Sequence, residues 1–308
     1  MLIGLLSTGG SPGVSTTIAA MAATWPSPVV VVDADPSGGD LLAGAGGEVE
    51  ASREHGLLEL VRLGRQGQIP PVLDSQIVTL PTGVPLVAGL GHPGQAGAVN
   101  WSELADGLRE VTHRDVLVDL GRWTMNYPAA PLLRSCDVVL VVVRTQLRGL
   151  RRTERTLPLI RDDIERHNPG VGAMGLVVVN DNGPYAVADI ARRLGVSALG
   201  EVPLDARAAA VFSDAASPTR GHSRSPLLRS MPELVRAAGQ LGQQQRALGT
   251  RRTLLREQQV ADTTVVIPRP GSTPAAAAPP AKPPMAAGLR EMPRRHRRLS
   301  AVQNGVEQ

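Results

Sequence analysis

Close to the start of the chain, Ser7-Thr8-Gly9-Gly10-Ser11-Pro12-Gly13-Val14-Ser15-Thr16-Thr17 follows the apolar run Leu2–Leu6 and precedes an Ala-rich stretch. A glycine-rich turn between a strand and a helix aims successive backbone N–H groups inward, and the helix N-terminus adds about half a positive charge. Such a turn can hold phosphate without any charged side chain. Glycines there also serve tight packing, so this segment by itself leaves both readings open. A second apolar run, Val29–Val32, ends in Asp33-Ala34-Asp35-Pro36. It delivers two carboxylates to the carboxyl end of a strand, where parallel sheets bind their ligands. A third run, Val116–Val118, ends in Asp119-Leu120-Gly121. An aspartate in that place can hold a magnesium ion directly or through water, and the glycine lets a γ-phosphate approach. Each aspartate has a plainer role open to it, the capping of the next turn. The order of the three features, on three successive strand ends, favours phosphate chemistry over three separate caps.

Strands and helices must carry those groups, and their pattern is readable. Leu2–Leu6, Val29–Val32, Ile77–Leu80 with Pro85–Ala88, Val116–Val118, Val138–Val143 and Leu176–Val179 are short apolar runs, mostly β-branched, as in strands buried on both faces. Between them Thr16–Thr24, Leu57–Leu63, Trp101–Val111, Leu150–Arg166 and Ala186–Leu194 place apolar residues at helical spacing. This alternation predicts an α/β fold, a three-layer α/β/α arrangement around a mostly parallel sheet. Leu199–Val202, stopped by Pro203, predicts a last strand at the sheet edge. Pro232 before Glu233 and Leu234 predicts the start of the final helix. The expected organisation is a domain over 1–240, a helical extension over 241–265 and a disordered basic tail over 266–308. The tail is Pro/Ala-rich from Pro268 to Pro284 and ends in Arg294, Arg295, His296, Arg297 and Arg298.

Composition narrows the class. Hydrophobic residues are 42 % of the 308 but aromatic ones only 2 %, so the core must be built of Val, Leu, Ile and Ala. One cysteine, Cys136, excludes an intramolecular disulfide and a cysteine-based zinc cluster. No apolar run approaches the roughly 18 residues that span a bilayer, and Met1–Leu6 has neither a basic leader nor a cleavage site. The expected location is cytoplasmic, with peripheral attachment to membrane or nucleoid open to the basic tail. From Gln240 onward 11 Arg/Lys stand against 4 Asp/Glu, while the body before it has 21 against 24. A basic tail on a slightly acidic body suits an anionic partner, DNA or an acidic membrane surface. The chain holds a single lysine, Lys282.

The three strand ends, in order, resemble the ParA/MinD superfamily of phosphate-loop NTPases. Its deviant Walker A loop reads Lys-Gly-Gly-x-Gly-Lys-[Ser/Thr]-Thr. Gly10, Ser11, Pro12 and Gly13 fall on the Gly-Gly-x-Gly stretch, and Ser15 and Thr16 on the hydroxyl pair. The resemblance covers roughly residues 1–240 and implies ATP or ADP with Mg2+ as cofactors. It implies nucleotide contacts from Gly9 through Thr16, and a magnesium ion on Ser15 and Asp119, the Walker B aspartate. Asp35, in Asp-Ala-Asp-Pro, falls on the aspartate that positions the attacking water. Asn180 falls on a base-contacting asparagine, and Pro203 begins a Pro-x-Asp turn beside the base. The departures are chemical. Val14 stands at the Walker lysine and Gly9 at the signature lysine, so both cationic contacts to the phosphates are missing. Arg122 and Arg144 are candidate substitutes, although a guanidinium differs from an ammonium in shape and reach.

The resemblance implies a homodimeric positioning protein with slow or absent ATP hydrolysis. Its lysine-poor loop looks most like the CpaE/TadZ group of Tad-type pilus or secretion systems. Chromosome or plasmid partition is the alternative assembly served, and in either case a protein partner is implied. That group usually carries a receiver-like domain before the loop, and here the first strand begins at residue 2. A pseudo-ATPase scaffold without turnover is the competing reading. A metabolic phosphate-loop enzyme is a third, with no substrate-specific motif to support it.

Overall fold

The computed structural model describes residues 1–49, 55–65, 68–167 and 173–262, with backbone only for 249–262. In chain order the elements are β1 Leu2–Ser7, α1 Val14–Ala23, β2 Val29–Asp33, α2 Leu41–Ala45, α3 Leu57–Leu63, α4 Ile69–Leu73, β3 Val78–Thr79, β4 Pro85–Val87, α5 Trp101–Arg109 and β5 Asp115–Arg122. There follow α6 Ala130–Ser135, β6 Val138–Arg144, α7 Leu147–His167, β7 Ala173–Asn180, α8 Val187–Leu194, β8 Ala198–Pro203, α9 Ala206–Ser213 and α10 Pro226–Asp262. The strands form one eight-stranded sheet in the order β3-β4-β2-β5-β1-β6-β7-β8. Every pairing is parallel except β3 with β4. Ile77–Leu80 and Pro85–Ala88 therefore supply a short antiparallel edge beside the parallel body.

The sheet is apolar on both faces, which is why its strands read as unbroken runs. Leu2, Val30, Val32, Val116, Val118, Val139 and Val141 pack under α3 to α8. Their neighbours Ile3, Leu5, Val29, Val31, Leu117, Leu140 and Val142 pack against α1, α2, α9 and α10. Each fully buried Val, Leu or Ile contributes about 1.5–3 kcal/mol, so aliphatic side chains carry this core with few aromatics. β8 lies at the sheet edge and ends at Pro203, as predicted.

Two helix starts differ from the sequence expectation by three residues or more, and α7 begins at Leu147 instead of Leu150. The final helix starts at Pro226, not at Pro232, which lies inside it. Ser225 Oγ accepts from the backbone N–H of Leu228 at 3.3 Å, so a capping serine followed by proline at the first helical position outweighs the later proline. The expectations for 266–308, including Arg294–Arg298, fall outside the described residues.

Candidate functional site

Parallel order places the ends of β2, β5, β1 and β6 side by side, and the chain leaves β1 on one side and β6 on the other. A crevice opens at such a switch point. The loop from Thr8 to Gly13 lies there, between β1 and α1. Its backbone is left-handed at four residues, with φ 145° at Gly9, 82° at Gly10, 45° at Ser11 and 101° at Gly13. For Ser11 that conformation costs about 1–2 kcal/mol, and its hydroxyl oxygen accepts from Arg122 Nη2 at 3.3 Å. Gly13 caps α1, and its carbonyl accepts from Thr17 N at 2.9 Å. N–H groups in a first helical turn have no intrahelical acceptor, so those of Val14, Ser15 and Thr16 are available to an anion. Pro12 and Val14 are buried. Val14, 7 % exposed, belongs to the core on the α1 face, so the side chain at this position contributes packing and no charge.

Beside the loop, Ser15 stands close enough to the Asp119 carboxylate to favour its charged form. Asp119 accepts from Gly121 N at 2.8 Å. Burial raises its carboxyl to about 6, with Asp35 and Asp40 pushing the same way and Ser15 and the Gly121 hydrogen bond opposing. Asp33 is the register partner of Asp119 across β2 and β5. Burial first, then the Asp119 charge, raises Asp33 well above the usual carboxylate range. Its Oδ2 accepts from Leu41 N at 3.1 Å, and Gly39 and Gly89 close over it, so Asp33 holds the turn into α2.

Asp35 is placed differently. It sits on Gly121, where an added Cβ would fall 2.0 Å from the Asp35 carboxylate, and Gly121 itself is left-handed at φ 59°. Its Oδ1 accepts from Ser37 N at 2.7 Å. Burial raises its carboxyl, and Arg122 offsets part of that. Among the described residues no group of three or more His, Cys, Asp or Glu could form an all-protein metal cage. The hydroxyl and carboxylate of Ser15 and Asp119 are hard oxygen donors of the kind magnesium takes beside phosphate and water oxygens. A divalent cation would also stabilise the charged form that burial disfavours at Asp119. The donor set fits magnesium.

Asn180 and Pro203 lie farther along the same edge as register partners at the ends of β7 and β8. Asn180 Nδ2 donates to Glu201 Oε1 at 2.5 Å, and its Oδ1 accepts from Asn182 N at 2.8 Å. Counted in strands from β1 they stand roughly 10 and 15 Å from the loop, at about 4.8 Å per strand. A nucleoside could span that separation. The structure thus brings Ser15, Asp35, Asp119 and Gly121 together at the loop, with Asn180 and Pro203 apart from them at the ends of β7 and β8.

Sequence reasoning missed two residues, Arg148 and Arg152. Both line a cavity of about 370 Å³ with Gly9, Gly10, Arg122 and Arg144. Their spacing of four puts them on one face of α7, and that basic stripe was the available signal. Nothing in the sequence said that this face meets a loop some 140 residues earlier.

No family model and no curated protein matches the sequence. Solved structures match it in fold. The ParA family ATPase from Chlorobium tepidum TLS superposes with a TM-score of 0.59 at 16 % identity, over 76 % of this chain and 98 % of that one. The septum site-determining protein MinD of Pyrococcus horikoshii OT3, complexed with Mg-ADP, gives 0.59 at 14 % identity, over 76 % and 93 %. An ATP complex of a McdA variant from Cyanothece gives 0.56 at 16 % identity, over 77 % and 96 %. At these identities the likeness establishes the fold, that of the ParA/MinD ATPases.

Proposed function

We propose that this chain binds ATP or ADP with magnesium and uses the nucleotide to control dimerisation, positioning a cellular assembly as ParA/MinD proteins do. The observation that carries the reading is the left-handed glycine loop capping α1, with Ser15 in its first turn beside buried Asp119. The loop amides from Gly9 to Thr16 hold the phosphates, with Pro12 and Val14 fixing the turn. Ser15 and Asp119 hold magnesium, which would supply charge at the β- and γ-phosphate oxygens. Asp35, set against Gly121, orients a water for attack. Asn180 and Pro203 flank the base. The neighbours bound to Mg-ADP and to ATP support the choice of cofactor.

Turnover is slow in this reading, because no lysine stands at the loop and positioned cations are worth factors of about 10³ or more in phosphoryl transfer. The lysine-poor loop supports a Tad-type pilus or secretion system as the assembly served, and the basic tail supports partition. Burial of Val14 in the α1-face core also favours a second reading, a scaffold that keeps the fold without hydrolysis. Sedimentation of the full chain with ATP, ADP or neither tests the proposal. A dimer with ATP and a monomer without it is expected. An oligomeric state indifferent to nucleotide would favour the scaffold.

A further inference from the structure

The arginines around the loop form a second, cationic half of the site. Arg152 lies directly on Gly9: a Cβ there would fall 2.6 Å from Arg152 Nη1 and 2.8 Å from its Cδ. The loop has room for that guanidinium only because residue 9 carries no side chain. α7 is held in this position by a buried hydrogen bond at 2.7 Å between the hydroxyls of Thr8 and Thr153, the residues next to Gly9 and Arg152. Arg122 reaches the loop from β5 through Ser11. Arg144 brings a buried Nε that has no hydrogen-bond partner. Arg148 completes the cavity, whose lining contains no carboxylate. Arg122 and Arg144 feel Asp35 and Asp181 through longer-range attraction. Among the described residues none of the four is in an ion pair.

Four guanidinium groups converging on one cavity repel each other, and a buried N–H without an acceptor costs free energy. A phosphate group relieves both, since its oxygens match the planar donor fork of arginine. We propose that Arg122, Arg144, Arg148 and Arg152 form a phosphate-binding basin that grips the terminal phosphate of a nucleotide held at the loop. The basin thereby supplies binding charge from β5, β6 and α7, in place of a loop ammonium at the transferring group, and distinguishes ATP from ADP. This rests on the nucleotide reading given above.

The test measures binding of ATP, ADP and inorganic tripolyphosphate to the full chain and to the Arg148→Ala, Arg152→Ala double variant. Both side chains are exposed and alanine favours helix, so the variant should melt as the parent does. ATP and tripolyphosphate should weaken by about tenfold or more, the worth of a charge-assisted contact, while ADP barely changes. Unchanged ATP affinity, or equal losses for ATP and ADP, would overturn the basin. If the parent binds neither nucleotide, the nucleotide reading has failed. Tripolyphosphate binding that disappears in the variant would then still support the basin, and its absence in the parent would overturn it.

Discussion

Burial in the sheet raises the Asp119 carboxyl to about 6, and this has a sign that can be measured. A folded value above the unfolded 3.8 means that the native state holds its proton longer, so stability falls as pH rises from about 4 through about 6. Asp119→Asn removes that loss and keeps an oxygen for the Gly121 N–H. Without nucleotide the variant should melt above the parent at neutral pH, by an amount that grows across that window and amounts to a few kcal/mol at most. It should also lose magnesium-dependent nucleotide binding. A lower melting temperature with magnesium dependence intact would make Asp119 a cap and nothing more. Asp35 sits at the loop with Gly121, and its Ala variant should bind nucleotide like the parent and lose residual hydrolysis, read by phosphate release. Persisting hydrolysis in Asp35→Ala would remove it from the chemistry.

At the scale of elements, the close approach of β5 to the turn after β2 sets the site. Gly121→Ala would drive a methyl group into the Asp35 carboxylate on a left-handed backbone. Strain of about 1–3 kcal/mol and a displaced Asp35 should follow, read as a lower melting temperature together with lost turnover. A Gly121→Ala protein as stable and active as the parent would contradict that geometry. The long strands were legible because uninterrupted Val and Leu runs have no other home than a sheet covered on both faces, and α3 because Leu57, Leu60 and Val61 recur at helical spacing. Helices α2, α4, α6 and α9, of five to eight residues, were not legible, because Gly, Pro or repeated Ala in so short a stretch leaves no clear apolar stripe. Pro232 misled because proline marks helix starts, and the stronger Ser225-Pro226 signal lay six residues earlier. The loop, Asp35 and Asp119 were legible as motifs. Arg148 and Arg152 were not, since tertiary packing of α7 brings them to Gly9.

Among the described residues, the two core clusters draw on none later than Ala238, with Leu241 packed at their margin. The Pro/Ala-rich composition of Pro268–Pro284 offers no apolar face to pack, so removing 266–308 should leave the melting temperature and nucleotide affinity unchanged. The sequence of that segment, with Arg294–Arg298, predicts binding to DNA or anionic vesicles that weakens steeply with salt and is lost on truncation. Binding that survives truncation would assign the contact to the folded body. The central claim is that the loop at Gly9–Thr16 holds a magnesium nucleotide, and calorimetric titration of ATP and ADP tests it most directly. Saturable one-site binding that strengthens with magnesium is predicted for the full chain, with none for Gly13→Val, whose φ of 101° a β-branched residue resists. Absence of saturable binding in the parent, or equal binding by a folded Gly13→Val protein, would contradict it.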